Sequence, residues 1–517
     1  MNQPRFSQHV PDILDCLAQL STDEVPTPPD LARAMLELLP EEVWTRPDYV
    51  WLDPFSKSGV FLREVATRLL DGLAEWEPDF VVRRDHIFRN MLFGAAITEM
   101  TGIISRRSVY CSADASGHHS LVQFDDPQGN LLYVPSEHHF GSDDRCTLCN
   151  VPKDLERGRS RENYAYSFIH GTYPTKEMAD MKFDVIVGNP PYQLKDGGHN
   201  ASAVPIYQLF VQKALALNPR YVVMITQSRW FAGGRGLDSF RNQMLTDGRI
   251  RKLVDYPKLY DAFPGVKVRG GVSYFLWDRD NPGLCEVQTM WDGVPVGPPM
   301  ERSLCAYDVL VRRNEAVAIL EKVRAYRVAG KPEPVLKVRV SGGKPFGFRT
   351  YFHGVASPDR LKNPVKFYGS QKISWIERAD VRTNSEWVDD WKVLMTAVQG
   401  TSAAVETKFL SDPIVAGPGT ACSETYLVAG RFESESEAQW YASYLRTRFV
   451  RFLVSLRKAT QHATRDVYAF VPDVPLSQTW TDELLFARYG ITGEEAAFIA
   501  SQVKEMPAPS SGDTIDA

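Results

Sequence analysis

The stretch FDVIVGNPPYQL, Phe183 to Leu194, joins a run of apolar and β-branched residues to Gly-Asn-Pro-Pro-Tyr. Two consecutive prolines cannot extend a strand, because proline lacks the ladder N–H and fixes its own φ. The expected result is a buried strand that stops in a rigid corner, polar at Asn189 and aromatic at Tyr192. Helical spacing follows in IYQLFVQKALAL. The same strand, turn and helix order stands upstream in YVWLDPFSKSGVFLREVATRLLDGL and IFRNMLFGAAITEMTGIISRR. It returns downstream in YVVMITQSRWF, with a helix around Leu237 to Leu245. Such alternation predicts a doubly wound, Rossmann-like α/β domain, a parallel sheet with helices on both faces. GGVSYFLWDRDNPG supplies a last strand, and the domain is expected to span 1–285.

Ligands of open α/β sheets bind beyond the carboxyl ends of the strands. Asp53 and Asn189 both fall at such ends, so two strand ends are expected to face one crevice. The loop DPFSKSG sets a carboxylate and a turn ahead of a helix N-terminus, which suits an amino group and a nucleoside better than a pyrophosphate. No GxGxxG is present. At the corner, the Asn189 side-chain oxygen and the Pro190 carbonyl can accept the two hydrogens of an exocyclic amine, and Tyr192 offers a flat face to a ring. Adenine fits that description.

The 517 residues, 44% hydrophobic and 24% charged, match a globular chain of two or three domains. No apolar run is long enough for a membrane span, and the start lacks a basic region followed by an apolar one, so a cytoplasmic protein without membrane attachment is expected. A net charge of −5 argues against general coating of nucleic acid and leaves only a local basic patch. One candidate is RTRFVRFLVSLRKATQHATRDVYAF, where Arg446, Arg448, Arg451, Arg457, Lys458 and Arg465 face a single Asp466. Basic residues interleaved with aromatics and hydroxyls suit phosphate contacts.

Between Cys111 and His170 the alternation fails, and 111–170 reads as a polar, histidine-rich insertion holding Cys146 and Cys149 in CTLC. Cys111 and His138 are the expected partners in a Cys3His structural zinc site, with His139, His118 and His170 as competitors. Beyond it, 286–334 reads as a connecting helix and linker ending in VAGKPEPVLK. Residues 335–505 read as a second, α+β domain, and 506–517 as a disordered tail.

With TPP, DPFSKSGVFL and NPPY in this order, the chain resembles the gamma-group N6-adenine DNA methyltransferases of restriction-modification systems. The resemblance covers most of the chain. It implies a methyltransferase domain that uses S-adenosylmethionine, a C-terminal target recognition domain, and double-stranded DNA whose adenine is flipped out of the stack. Carried over residue by residue, Asn189, Pro190, Pro191 and Tyr192 match the catalytic loop. Thr27 and Pro28 match the N-terminal helix motif beside the methionine part of the cofactor, and Asp53, Pro54, Ser58 and Gly59 match the cofactor loop. Phe263 in AFPGVKVRGGVSYFLW falls where the family contacts the target base. Two positions depart from the pattern: Lys57 replaces the first loop glycine, and Ala96 stands where the ribose-binding acid is expected, with Glu99 the nearest substitute.

Glutamine methyltransferases acting on release factors and small RNA guanine methyltransferases share the tetrapeptide, but they lack a large domain downstream. A DNA-specificity subunit with a degenerate cofactor site is the non-enzymatic alternative, motivated by Lys57 and Ala96. No nuclease motif is evident, so cleavage is expected in a separate restriction endonuclease or helicase-nuclease partner.

Overall fold

The computed structural model describes residues 25–153, 165–178, 180–194, 204–234, 236–264, 270–370, 372–398, 409–458 and 463–506. The chain divides into two compact units, Met1–Leu310 and Val311–Ala517. The expected tail 506–517 lies, after Met506, outside the described residues.

In the first unit, helix α1 (Pro29–Leu36) starts directly after Thr27-Pro28, with Pro29 at its first position, where a missing N–H costs nothing. Strand β1 (Trp51–Ser56) leads into α2 (Val60–Gly72), and α3 (Phe80–His86) precedes β2 (Leu92–Ala96). Helix α4 (Glu99–Tyr110) opens with a capping box between Thr98 and Thr101. After β3 (Leu131–Leu132) and α5 (Ser167–His170) comes β4 (Val185–Gly188). A short antiparallel pair, β5 (Gln193–Leu194) and β6 (Val204–Pro205), leads to α6 (Tyr207–Ala216), β7 (Tyr221–Gln227) and α7 (Asp238–Thr246). Strand β8 (Ile250–Tyr256), α8 (Leu259–Ala262), β9 (Val272–Asp278), β10 (Cys285–Trp291), β11 (Val294–Pro295) and β12 (Met300–Arg302) complete the unit.

The strands form one ten-stranded sheet in the order β11-β10-β8-β9-β7-β4-β1-β2-β3, with β12 beside β10. The sheet is mixed rather than parallel: β9 runs antiparallel to both β7 and β8, while β3, β2, β1, β4 and β7 are mutually parallel along the path. Its central strands β4, β7 and β9 are buried along their whole length, hence their continuous apolar runs. Strands β10 and β12 carry the sheet beyond residue 285, where sequence reading ended the domain. Strand β1 also runs further than the Asp53-Pro54 pair suggested. A register shift between Asp53 and Ser56 places Pro54 in a bulge, where no ladder N–H is required. Among the described residues of the 111–170 insertion, β-structure is limited to the two-residue β3 and isolated bridges such as Phe140 to Cys146.

The second unit begins before the expected boundary. Helix α9 (Asn314–Ala325) belongs to it, and the expected linker is a hairpin of β13 (Arg327–Val328) and β14 (Lys331–Pro332). Ala329 (φ 50°) and Gly330 (φ 76°) make the tight turn between them. Strands β15 (Pro364–Tyr368), β16 (Ile373–Glu377), β17 (Trp391–Thr396), β18 (Ile414–Ala416), β19 (Thr420–Cys422) and β20 (Tyr426–Phe432) form two three-stranded sheets, β16-β15-β19 and β18-β17-β20. Helices α10 (Glu435–Arg446), α11 (Arg448–Ser455), α12 (Asp482–Tyr489) and α13 (Gly493–Gln502) follow. Phe346, Phe367, Leu394 and Val428 lie in a core of this unit's own. Among the described residues no helix is long and apolar enough to cross a membrane.

Candidate functional site

Strands β1 and β4 are neighbours, with Trp51 opposite Val185 and Leu52 opposite Ile186. At β1 the sheet order changes direction, because β2 and β3 continue on one side and β4 and β7 on the other. A crevice at the carboxyl ends is the geometric result. A cleft lies there, lined by Thr27, Asp53, Lys57, Ser58, Gly59 and Asn189 among others. The seam between the strands is closed tightly. A Cβ on Gly188, whose φ is 155°, would run into the Phe55 ring and lie 2.9 Å from Asp53 Oδ1.

Asn189 is 4% exposed and held from one side only. Its Nδ2 donates to the Val25 carbonyl and to Thr27 Oγ1, both at 3.1 Å. Its Oδ1 is buried without a hydrogen-bond partner among the described residues. A buried acceptor left open costs about 1–3 kcal/mol, and in a cleft lining a ligand donor can recover that cost. Asp53 is also buried, and desolvation pushes its carboxyl up to about 7, against the opposing Phe55 N–H, the Ser56 side chain and the Lys57 charge. The site therefore sets one acceptor that no described residue satisfies, Asn189 Oδ1, beside the buried carboxyl of Asp53.

The turn that carries these groups is fixed by close approach. Gly59 caps α2 at φ 73°, and a Cβ there would lie 3.0 Å from the Ser105 carbonyl of α4. Ser56 and Ser105 hydroxyls meet at 2.9 Å, tying the end of β1 to the same helix. Lys57, at the position of the absent glycine, reaches the Val25 carbonyl at 3.4 Å. It thus joins the cofactor-type loop to the segment that holds Asn189, a link that nothing in the sequence signalled.

The structure brings together Thr27, Asp53, Ser58, Gly59 and Asn189. Pro28 caps α1, Pro54 sits in the β1 bulge, and Pro190 and Pro191 are buried behind Asn189. Tyr192 is 7% exposed and packs edge-on against Tyr207 at 6.4 Å. Phe263 is 2% exposed, follows α8 and does not line the cleft. Neither ring lies open to a ligand as the sequence reading had them. Glu99 is exposed in the first turn of α4, also outside the cleft lining.

The basic stretch is corrected by burial. Helix α11 presents an apolar face to the core, and Arg451 goes in with it at 1% exposure, its Nε donating to the Arg446 and Thr447 carbonyls. Lys458 is buried with Nζ on the Phe409 carbonyl at 2.9 Å. Arg446 pairs with Asp412 and Arg448 with Glu505, and Arg457 donates to the Asp466 carbonyl. Arg465 is the one of the six that is exposed. A count of charges could not separate buried from exposed arginines.

The cysteine reading is corrected at one ligand. Cys111 is exposed in the left-handed position after α4. His138, Cys146, Cys149 and His170 instead place one donor atom each within 4.8 Å of the others. His170 was a competitor by sequence, and its selection depends on α5 folding back, which spacing does not reveal.

Comparison with known proteins agrees with this geometry. The family model described as Eco57I restriction-modification methylase matches residues 90–263. A curated protein of Mycoplasma pneumoniae, described as an uncharacterized adenine-specific methylase, is 34% identical over 314 residues, which is 55% of this chain and 74% of the relative. Among solved structures, a nuclease-deletion mutant of the Type ISP restriction-modification enzyme LlaGI, in complex with a DNA substrate mimic, shares the fold at a TM-score of 0.50 and 11% identity. The match covers 96% of this chain but 49% of that one, so the chain spans about half the length of that enzyme. With the strand-end crevice, the Asn-Pro-Pro-Tyr corner and a homologue matched over most of its length, the chain belongs to the adenine-specific methylases of the Eco57I restriction-modification type.

Proposed function

We propose that this chain is a site-specific DNA methyltransferase that moves a methyl group from S-adenosylmethionine to N6 of an adenine turned out of the duplex. The observation that carries the reading is Asn189 Oδ1, buried in a residue that lines the cleft and without a partner among the described residues, while Nδ2 is anchored to Val25 and Thr27. That anchoring fixes which end of the amide faces the ligand. S-adenosylmethionine, when bound, supplies an activated methyl on a positively charged sulfur. The cleft fits it in kind: a buried carboxylate at Asp53 for a cationic amine, and a turn whose Gly59 packs closely against Ser105 and Val109.

The protein's own part is positioning. The adenine amine is a poor nucleophile because its lone pair is delocalised into the ring. Acceptance of its hydrogens by Asn189 Oδ1 and the Pro190 carbonyl draws them out of the ring plane and leaves the lone pair available. Alignment with the methyl donor supplies most of the remaining barrier reduction. Tyr192, now packed on Tyr207, replaces the stacking lost by the extruded base once the corner rearranges around it. Recognition of the surrounding sequence falls to the second unit, as in the expectation of a target recognition domain, with nuclease activity in a separate partner.

The test is modified-base sequencing of DNA from a methylation-free host that expresses the chain, with Asn189→Ala alongside. N6-methyladenine at one motif, reduced at least about 100-fold by the substitution, is the expected result. Unmodified DNA from soluble protein that binds S-adenosylhomocysteine would overturn it.

A further inference from the structure

The cluster of His138, Cys146, Cys149 and His170 stands apart from the cleft lining and has no part in the methyl-transfer reading. Its four donor atoms converge from three places: His138 in an irregular stretch, the two thiols in the CTLC turn, and His170 at the end of α5. Cys149 Sγ lies 3.4 Å from His138 Nδ1, and Cys146 Sγ lies 3.6 Å from His170 Nε2. Tetrahedral zinc with thiolate and imidazole ligands requires about 3.5–3.8 Å between donors. All four donor atoms lie within 4.8 Å of one another, a spacing that a zinc ion would draw only slightly closer.

Two further features suit a metal rather than an accidental meeting of polar groups. His170 Nδ1 lies 2.9 Å from the Tyr166 carbonyl, which fixes the proton on that nitrogen and turns the Nε2 lone pair toward Cys146. Backbone N–H groups of Leu148 and Cys149 donate to Cys146 sulfur, and that of Val151 donates to Cys149 sulfur. Turns of this kind hold two thiolates side by side. Three of the four residues are buried, and two buried thiols facing two imidazoles have no other evident use.

We propose that these four residues bind one structural zinc ion, and that the ion clamps α5 behind the catalytic cleft. The second part follows from what α5 touches. Phe168 meets the Phe55 ring edge-on at 6.2 Å, Tyr166 meets Phe210 at 5.4 Å, and Phe55 meets Phe210 at 5.5 Å. Phe55 lines the cleft and is the ring that leaves no room for a side chain at Gly188. With four ligands the site leaves no coordination position for chemistry. Its effect reaches the cleft only through packing.

The test uses the full chain, purified without added metal and after dialysis against zinc. Elemental analysis is expected to find one zinc per chain, nearly absent in Cys146→Ser and His170→Ala and retained in Cys111→Ser. Cobalt(II) reconstitution of the unmutated protein gives an independent readout should the variants fail to fold: tetrahedral d–d bands with thiolate-to-cobalt charge transfer. Metal-free protein, or equal zinc loss in Cys111→Ser, would overturn the site. Hydrogen exchange after chelation tests the clamp. Faster exchange in 166–172 and in 51–56 is expected, whereas a change confined to 138–151 would overturn the link to the cleft. None of these readouts depends on methyl transfer.

Discussion

Asp53 is a carboxyl group held where its charge is poorly solvated, and its behaviour with pH follows. Burial raises its pKa from 3.8 to about 7, so between those values the folded chain keeps a proton that the unfolded chain has lost. This one group therefore makes folding less favourable as pH rises through that window. Asp53→Asn is expected to remove the effect and to raise the melting temperature of the ligand-free protein by a few degrees at pH 8, with little change at pH 4. A cationic amine in the cleft needs the ionised form. Affinity for S-adenosylhomocysteine should rise up to about tenfold per pH unit below that value and level off above it, with a proton released to buffer. Calorimetry in two buffers of different ionisation enthalpy checks this; a pH-independent affinity would remove Asp53 from amine recognition. These residues were legible from sequence because strand ends of α/β sheets are where ligands meet the chain. The anchoring of the Asn189 amide through Nδ2 was not, since it depends on Val25 and Thr27, more than 160 residues away.

At the scale of elements, the meeting of β1 and β4 makes a quantitative demand on Gly188. Substitution by alanine there combines a poorly tolerated φ with a collision against Phe55, and is expected to cost on the order of 2–4 kcal/mol. Gly234→Ala is the control: φ is 82° but nothing lies within 4 Å of the added Cβ, so only about 1 kcal/mol is expected. Denaturant midpoints of the two variants measure the difference, and equal values would mean that the seam yields. Element order around the cleft was readable because β-branched runs and helical spacing alternate clearly from residue 51 to 246. What was not readable was direction and depth. The reversed β9 carries the same apolar pattern as its parallel neighbours, since a strand buried on both faces reads alike either way. Helix α11 likewise disguised Arg451, whose long stem lets a charge enter an apolar face with its Nε on backbone carbonyls.

On the scale of the whole molecule, each of the two units has an apolar core of its own. The second has its own apolar cluster around Phe367 and Leu394 and closes its sheets without strands from the first. A chain of residues 311–517 is expected to fold alone, with circular dichroism and tryptophan fluorescence reporting the same urea midpoint; non-coincident transitions would show that it does not. Starting such a chain at 335, the boundary read from sequence, removes α9 and the β13–β14 hairpin and should lower that midpoint. The linker reading failed because Ala-Gly-Lys-Pro is equally a tight-turn sequence, and only its pairing decides which it is.

The glycine seam has a consequence for how the proposed reaction can diverge among relatives. Because Gly188 lets β1 and β4 pair without a side chain between Asp53 and the corner, the spacing between donor-side and acceptor-side groups is a property of the backbone ladder, about 4.8 Å per strand, and not of any side chain that drift could lengthen. The ruler is thus hard-wired into the sheet. Under the proposed function, novelty in what is recognised falls to the loops and to the second unit, while the gauge between the two reacting partners stays the same.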